Sequence, residues 1–460
     1  MIPPDVVCAL EDVTGAEWVR RDEASRLKYG TDALLRGRPA DVVVIPGNTD
    51  EVAAVMRLCA RHRVPIVPRG AGTGYTGGAV PLAGGVVLSL ERFNRILEID
   101  PDNLLAIVEP GVITADLQAA VEAHGLFYPP DPQSLKESSI GGNVAECAGG
   151  PRAFKYGVTR RYVLGLEAVL PTGEVIRTGS KAVKNVVGYD LTQLLVGSEG
   201  TLAVITQIVL RLVPKPSDAA TLRACFTDVA TAAGAVSALI RRRVVPATLE
   251  IIDRDSLEAV AAYTGERLAP DGTDALLLID VDGSTEAVVA EAREVEAACR
   301  EAGAIEVLSA RRAAERDALW RVRRELSYAL RPLAPRKINN DVVVPRGRVP
   351  ELFALVERLR SEFRLRIPAF GHAGDGNIHV NIMMNPDDPD EAVRSEQAVR
   401  ALFEGVVALE GSISGEHGIG FSKAPYLGLE LSPDAIALMR RIKAAFDPEG
   451  ILNPGKIFPE

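Results

Sequence analysis

Between residues 68 and 78 the chain reads Pro68-Arg69-Gly70-Ala71-Gly72-Thr73-Gly74-Tyr75-Thr76-Gly77-Gly78. Within it, Gly72-x-Gly74-x-x-Gly77 has the spacing of a dinucleotide-binding turn. Such a turn must run from a strand straight into a helix whose first N–H groups hold the pyrophosphate. Here Val64-Pro65-Ile66-Val67 precedes the loop as a strand should. Gly78-Ala79-Val80-Pro81 follows it, however, and leads to a second strand, Gly85-Val86-Val87-Leu88-Ser89-Leu90. The Rossmann reading therefore fails, and no Walker lysine is present. What remains is a loop rich in exposed backbone N–H groups, suited to an anion such as pyrophosphate. A solvent-facing connection is the plainer alternative.

The surrounding text is that of a mixed α and β chain. Asp41 to Ile45 is a β-branched run closed by Pro46-Gly47, and Thr49 opens a helical pattern with apolar Val52, Val55, Met56 and Cys59. Glycine and small residues crowd Ser138-Ser139-Ile140-Gly141-Gly142-Asn143 and Ala148-Gly149-Gly150, which suggests backbone packed against a flat ligand. A short helix at 190–195 leads to Gly197-Ser198-Glu199-Gly200 and a long strand at 201–212. Pro214 and Pro216 then mark a boundary. After it, strand, helix, strand, strand, helix and strand are expected at 221–226, 228–242, 247–252, 275–281, 285–302 and 305–308. This is the split βαβ layout of a ferredoxin-like sheet. Helices are expected again at 313–330, 348–363 and 390–409, with a turn-rich tail from Asp447.

At 460 residues the chain is long enough for two or three domains. Its net charge of −10 excludes the basic field of a nucleic-acid binder. The first residues show no basic region followed by an apolar one, so no signal peptide is expected. No apolar run approaches the roughly 18 residues of a membrane span. The five cysteines are scattered and form no Cys-x-x-Cys. Reduced thiols in a cytoplasmic protein are expected, with no iron–sulfur cluster on this chain.

The chemistry gathers in the second half. Two of the five histidines lie in Gly371-His372-Ala373-Gly374-Asp375-Gly376-Asn377-Ile378-His379-Val380-Asn381, and a third in Ser414-Gly415-Glu416-His417-Gly418-Ile419-Gly420. Neutral imidazoles with a carboxylate suit a divalent metal such as zinc, iron or manganese, and leave coordination positions open for a substrate. Taken singly, His372 or His379 is as readily a hydrogen-bonded core histidine. Histidine is also the usual general base near neutral pH, a role open to His417 alongside a ligand or supporting role. Arg321, Arg323 and Arg324 crowd one predicted helix, where a solvated charged face is the ordinary meaning. An arginine fork also suits a carboxylate.

In this order, the loop 68–78, the block 140–150 with Gly197-Ser198-Glu199-Gly200-Thr201-Leu202, and the pair 371–381 and 414–420 are specific together. The chain resembles the FAD-dependent 2-hydroxyacid dehydrogenases of the vanillyl-alcohol oxidase superfamily, over roughly residues 38–458. The resemblance implies an α+β architecture: a helical lead-in at 1–37, a two-part FAD-binding domain at 38–216, a ferredoxin-like substrate-binding cap at 217–446, and a tail at 447–460 that returns to the flavin. FAD would lie between the two parts, with its pyrophosphate against Pro68, Arg69, Gly70, Ala71, Gly72, Thr73, Gly74, Tyr75, Gly77 and Gly78. Further contacts would come from Pro132, Ser139, Gly142, Asn143, Gly149, Gly157, Glu199, Gly200 and Ile205, and from Asn453 on the cap side. Some relatives attach FAD through a histidine in this loop. Tyr75 and the absence of histidine here imply non-covalent FAD.

The resemblance also makes His372, His379 and Glu416 metal ligands and His417 the base that takes the substrate's hydroxyl proton as hydride passes to flavin. Arg323, Lys337, Asn381 and Ser327 would bind the substrate. The implied reaction is oxidation of a small D-2-hydroxyacid, glycolate or D-lactate, to the 2-oxoacid. Electrons would pass to a quinone, an electron-transfer flavoprotein or an iron–sulfur subunit. The chain would work as a homodimer or as a subunit of a complex, held at the inner membrane only through partners. A metal-independent oxidase or dehydrogenase, and a non-catalytic flavin-binding subunit, are the competing readings.

Overall fold

A computed structural model describes residues 2–33 and 37–459. By its internal contacts the chain forms two units, one of residues 1–150, 157–215 and 416–460, the other of residues 151–156 and 216–415. Contacts thus assign residues 416–446 to the first unit, whereas the sequence reading placed them in a cap running to 446.

In the first unit, Thr49–His62 is helical because Asn48 caps it, accepting from the Glu51 N–H, and because Val52, Val55, Met56 and Cys59 line one buried face. The helix connects the strands Val42–Val44 and Ile66–Arg69, and both of these pair in parallel with Val86–Ser89. Ile66–Arg69 and Val86–Ser89 are parallel neighbours, so parallel strands that usually need a helical crossover are joined here by the glycine loop and the segment after it. That is why the loop resembles a Rossmann turn in sequence and is not one in structure. Leu452, in the tail, bridges to Ile66, and Ile451 and Leu452 share the core of Val44, Val52, Met56, Val86 and Leu88. A second sheet is antiparallel throughout, in the order Ile96–Asp100, Leu105–Val108, Val204–Arg211, Val163–Val169, Val175–Gly179.

The second unit is built on a seven-stranded sheet. Four strands run in the order Glu306–Ala310, Asp218–Phe226, Ala275–Gly283, Thr248–Asp253, all antiparallel to their neighbours. With the helices Val229–Arg241 and Thr285–Glu301 this is the ferredoxin-like arrangement expected from the sequence. Two features go beyond that expectation. A helix, Arg254–Thr264, follows directly from Asp253, whose side chain caps it by accepting from the Ser256 N–H. Three more strands extend the sheet beside Thr248–Asp253, in the order Ala369–His372, Asn377–Met384, Arg336–Val343. The histidine-bearing stretch is therefore a hairpin within the same sheet. Its turn includes Gly376 at φ +87°, where a Cβ would come within 2.0 Å of the Val344 carbonyl oxygen. Among the described residues no helix is long and apolar enough to cross a membrane.

Candidate active site

Strand register brings the cap residues onto one face. Successive side chains on a strand alternate sides, and directly opposed residues on neighbouring strands share a side. Glu250 stands opposite His372, Phe370 opposite His379, His379 opposite Asp341, and Asn381 opposite Asn339. Lys337 is two residues before Asn339. Glu250, Phe370, His372, His379, Asn381, Asn339, Asp341 and Lys337 accordingly rise from one face of the sheet. The His372 and His379 rings meet edge to face with centroids 5.4 Å apart, and both residues are buried.

Arg323 reaches this face from the helix Ala313–Ala329 and is 2% exposed, so it belongs to the core and not to a solvated charged face. Its Nε donates to Glu250 Oε2 at 2.6 Å, and its guanidinium lies 4.9 Å from the centre of the Phe370 ring. Glu250 Oε1 is hydrogen-bonded to His372 Nδ1. Burial pushes the Glu250 carboxyl up, but the His372 ring and the Arg323 guanidinium beside it outweigh burial and hold it below the usual carboxylate range. Sequence reasoning missed Glu250, although a lone acid between Leu249 and Ile251 in a strand buried at every position was a signal that a buried charge needed a partner. Ser327 lies one turn beyond Arg323 and is partly buried. Asn381 is fully buried, and its amide donates to the carbonyls of Pro368 and His379 while its Oδ1 accepts from Asn339 Nδ2. Burial, with the charge of Arg331 adding to it, pushes the Lys337 ammonium down to about 8.

Asp341 Oδ2 accepts from the Gly415 N–H at 2.9 Å, so the strand that faces His379 also fixes the chain at Gly415. Glu416 is the next residue. Within the second unit the His372 and His379 imidazoles are both buried and meet on this face. Two buried imidazoles brought together in this way have the chemistry to hold a divalent cation. The buried Oδ1 atoms of Asn339 and Asn377 also have no hydrogen-bond partner in the protein. His417 Nε2 is 3.7 Å from Glu416 Oε1. The His417 carbonyl accepts from Thr76 Oγ1 at 2.9 Å, and its ring lies 5.2 Å from that of Tyr75.

In the first unit the predicted cofactor residues assemble around the glycine loop. Among the described residues, none of the backbone N–H groups from Gly70 to Gly74 is donated to a protein acceptor. A Cβ on Gly74 would meet nothing within 4 Å. That open row of donors fits a diphosphate. The loop is braced from several sides. A Cβ on Gly70 would strike Ser139 Oγ at 2.3 Å, one on Gly78 would come within 2.9 Å of Glu146 Oε1, and Pro68 packs beside Gly200. The Arg69 guanidinium donates to the Thr31 carbonyl at 2.6 Å and fills the space a Gly72 side chain would take, so it props the loop. Asn453, at φ 46°, donates its amide hydrogens to the carbonyls of Gly78 and Glu199, latching loop to turn. Glu199 accepts from the N–H groups of Ile419 and Gly420 at 2.7 and 2.6 Å, which ties that turn to the histidine-bearing loop. Asn143 donates to Thr114 Oγ1, a Cβ on Gly149 would come within 2.9 Å of Glu416 Oε2, Gly157 packs on Arg161, and Ile205 is buried in the strand Val204–Arg211. Pro132 accepts at its carbonyl from the Leu135 N–H.

Comparison with known proteins agrees with these features. The FAD binding domain model matches residues 40–179, and the model of the C-terminal domain of FAD linked oxidases matches residues 215–457. The chain belongs to the FAD-linked oxidase family. This FAD-linked oxidoreductase is 46% identical to the glycolate oxidase subunit GlcD of Bacillus subtilis (strain 168), over 100% of its own length and 97% of that protein's. It is 39% identical to the glycolate oxidase subunit GlcD of Escherichia coli (strain K12), covering 98% and 90%. It is 38% identical to a D-lactate dehydrogenase of Anaerostipes hadrus, covering 92% and 90%. Among solved structures it shares the fold of p-cresol methylhydroxylase with substrate bound, with a TM-score of 0.81, 19% identity, and coverage of 98% of this chain and 96% of that one. The α+β architecture and the FAD cofactor expected from the sequence both hold for this oxidoreductase.

Proposed function

We propose that this oxidoreductase converts a small D-2-hydroxyacid, glycolate or D-lactate, to the 2-oxoacid. The observation that carries the reading is the meeting of the buried His372 and His379 rings on one sheet face, in a chain whose relatives bear the names glycolate oxidase subunit and D-lactate dehydrogenase. FAD supplies the two-electron acceptor, held non-covalently by the loop that carries Tyr75, and a divalent metal, zinc, iron or manganese, supplies a positive charge that lowers the pKa of a nearby hydroxyl. His372, His379 and Glu416 would hold that cation. His417 would take the hydroxyl proton, from a ring steadied by Tyr75 and a backbone fixed by Thr76. Lys337 would hold the substrate carboxylate. Arg323, already engaged with Glu250, would add positive potential to the same face, and Asn381 and Ser327 would shape it.

The described cysteines are all unpaired, and three of the five are buried. An iron–sulfur relay, if electrons leave by one, would reside on another chain, as suits relatives named as subunits. A quinone or an electron-transfer flavoprotein is the other class of acceptor. We place the protein in the cytoplasm, reaching a membrane only through partners. Purified protein is expected to be yellow, and anaerobic addition from a panel of D- and L-2-hydroxyacids should bleach it with one small D-acid or glycolate. A flavin that no hydroxyacid reduces would overturn the reading.

The depressed Lys337 pKa gives a pH signature. Lys337 loses its proton near pH 8 when folded and near 10.5 when unfolded. Below about 8 both forms are charged and burial of that charge costs stability. Between 8 and 10.5 the unfolded chain binds the extra proton, so stability is expected to rise with pH across that window, and to rise less in Lys337→Met. A substrate carboxylate needs the charged form. KM is therefore expected to climb roughly tenfold per pH unit above 8, and to stay flat in Lys337→Arg. Steady-state kinetics across pH 7–10 check this.

A further inference from the structure

We propose that Glu250 is the positioning residue of the candidate metal centre: its buried carboxylate fixes the tautomer and orientation of His372 with one oxygen and holds Arg323 with the other. The proposal rests on reading His372 as a ligand. Glu250 is 0% exposed and stands directly opposite His372 in the antiparallel pairing of Thr248–Asp253 with Ala369–His372. Opposed side chains on one sheet face have their Cβ atoms about 4.5–5.5 Å apart, so a glutamate here reaches the imidazole beside it without strain. Glu250 Oε1 is paired with His372 Nδ1, and Oε2 accepts from Arg323 Nε at 2.6 Å.

An ionised carboxylate only accepts hydrogen bonds, so His372 Nδ1 must carry the hydrogen. A neutral imidazole protonated there has its lone pair on Nε2. Nε2 is then the ring nitrogen whose lone pair can serve a cation. A carboxylate on the far ring nitrogen also makes the ligand more basic and stops the ring from turning. Arg323 completes the device. A carboxylate with no exposed surface beside a neutral ring would be an isolated buried charge, which is strongly disfavoured. The guanidinium, 2% exposed and seated over Phe370, neutralises it and keeps it ionised in place. Arg323, Glu250 and His372 form one chain of charge-assisted contacts, from the helix Ala313–Ala329, through the strand Thr248–Asp253, to the hairpin. This explains why an otherwise apolar stretch, Leu249-Glu250-Ile251-Ile252, carries an acid.

Equilibrium dialysis of metal-stripped protein against Zn2+ tests the proposal. Glu250→Gln keeps the size of the side chain, but its carboxamide offers one acceptor oxygen to two donors. Zn2+ affinity is expected to fall about 10–100-fold, with FAD content unchanged. Should the buried Arg323 left by that change prevent folding, Glu250→Gln/Arg323→Gln removes both charges and is expected to show the same loss. Binding at the wild-type level by either variant overturns the proposal. A second measurement needs no variant. In wild-type protein with 15N-labelled histidine, at a pH where the ring is neutral, His372 is expected as the Nδ1–H tautomer, and an Nε2–H tautomer overturns the proposal. If wild-type protein binds Zn2+ no better than His372→Ala, the ligand reading fails instead, and the tautomer still decides whether Glu250 fixes the ring.

Discussion

Replacing His417 by alanine is expected to slow substrate-driven flavin reduction by about 10²–10⁴-fold, the usual loss when a general base is removed, while FAD stays bound and the fold is unchanged. The expectation follows from how the residue is held. His417 sits in a glycine-flanked turn, with Gly418 at φ +76° and Gly420 at φ +52°. Glu199 clamps the backbone N–H groups of Ile419 and Gly420, and Thr76 holds the His417 carbonyl. The backbone therefore stays put when the side chain is cut back. The imidazole stands beside the Glu416 carboxylate, its Nε2 3.7 Å from Oε1. Stopped-flow absorbance under anaerobic conditions reads the step directly, free of whatever accepts the electrons afterwards. Reduction at near the wild-type rate would remove His417 from the chemistry and leave the base to be found elsewhere. Tyr75→Phe is a useful companion, since it keeps the ring beside His417 and should cost little.

Much of the architecture was legible because local signals agreed with the fold. The strand and helix periods after residue 217 differ sharply, so the ferredoxin-like order could be read without knowing any contact. The glycine loop was legible by exclusion, since a strand follows where a Rossmann turn requires a helix. What could not be read were choices made by long-range pairing. Nothing local says that Ala369–His372 and Asn377–Met384 add to the edge of the sheet begun at Asp218, yet that register is what sets Glu250 against His372. Asn453 illustrates the same limit. Its amide donates to the carbonyls of Gly78 and Glu199, an arrangement created only when the tail pairs with Ile66. The turn of the Arg69 guanidinium, 9% exposed, onto the Thr31 carbonyl is another contact that no local pattern announces.

Stripping divalent metal from the protein is expected to abolish hydroxyacid oxidation while leaving the flavin bound and its absorbance intact. His379→Ala is expected to reproduce that loss and to weaken metal affinity by more than about 100-fold, beyond the range seen when only a supporting group is changed. The two treatments act on the same face of the sheet by different routes, so agreement between them is informative. The FAD-binding loop is anchored within its own unit by Ser139, Pro68 and Asn453, which is why flavin retention should be independent of the metal. Restoring activity with zinc, manganese or iron in turn would identify the ion, since two imidazoles and one carboxylate accept all three. The competing outcome is equally specific. A metal-free protein that turns over at full rate would make His372 and His379 structural. The Glu250 contact would then serve to satisfy a buried ring nitrogen, and the proton would have to leave without help from a cation. In that case the His417→Ala loss should grow, because a hydroxyl with its ordinary high pKa depends more heavily on the base that receives its proton.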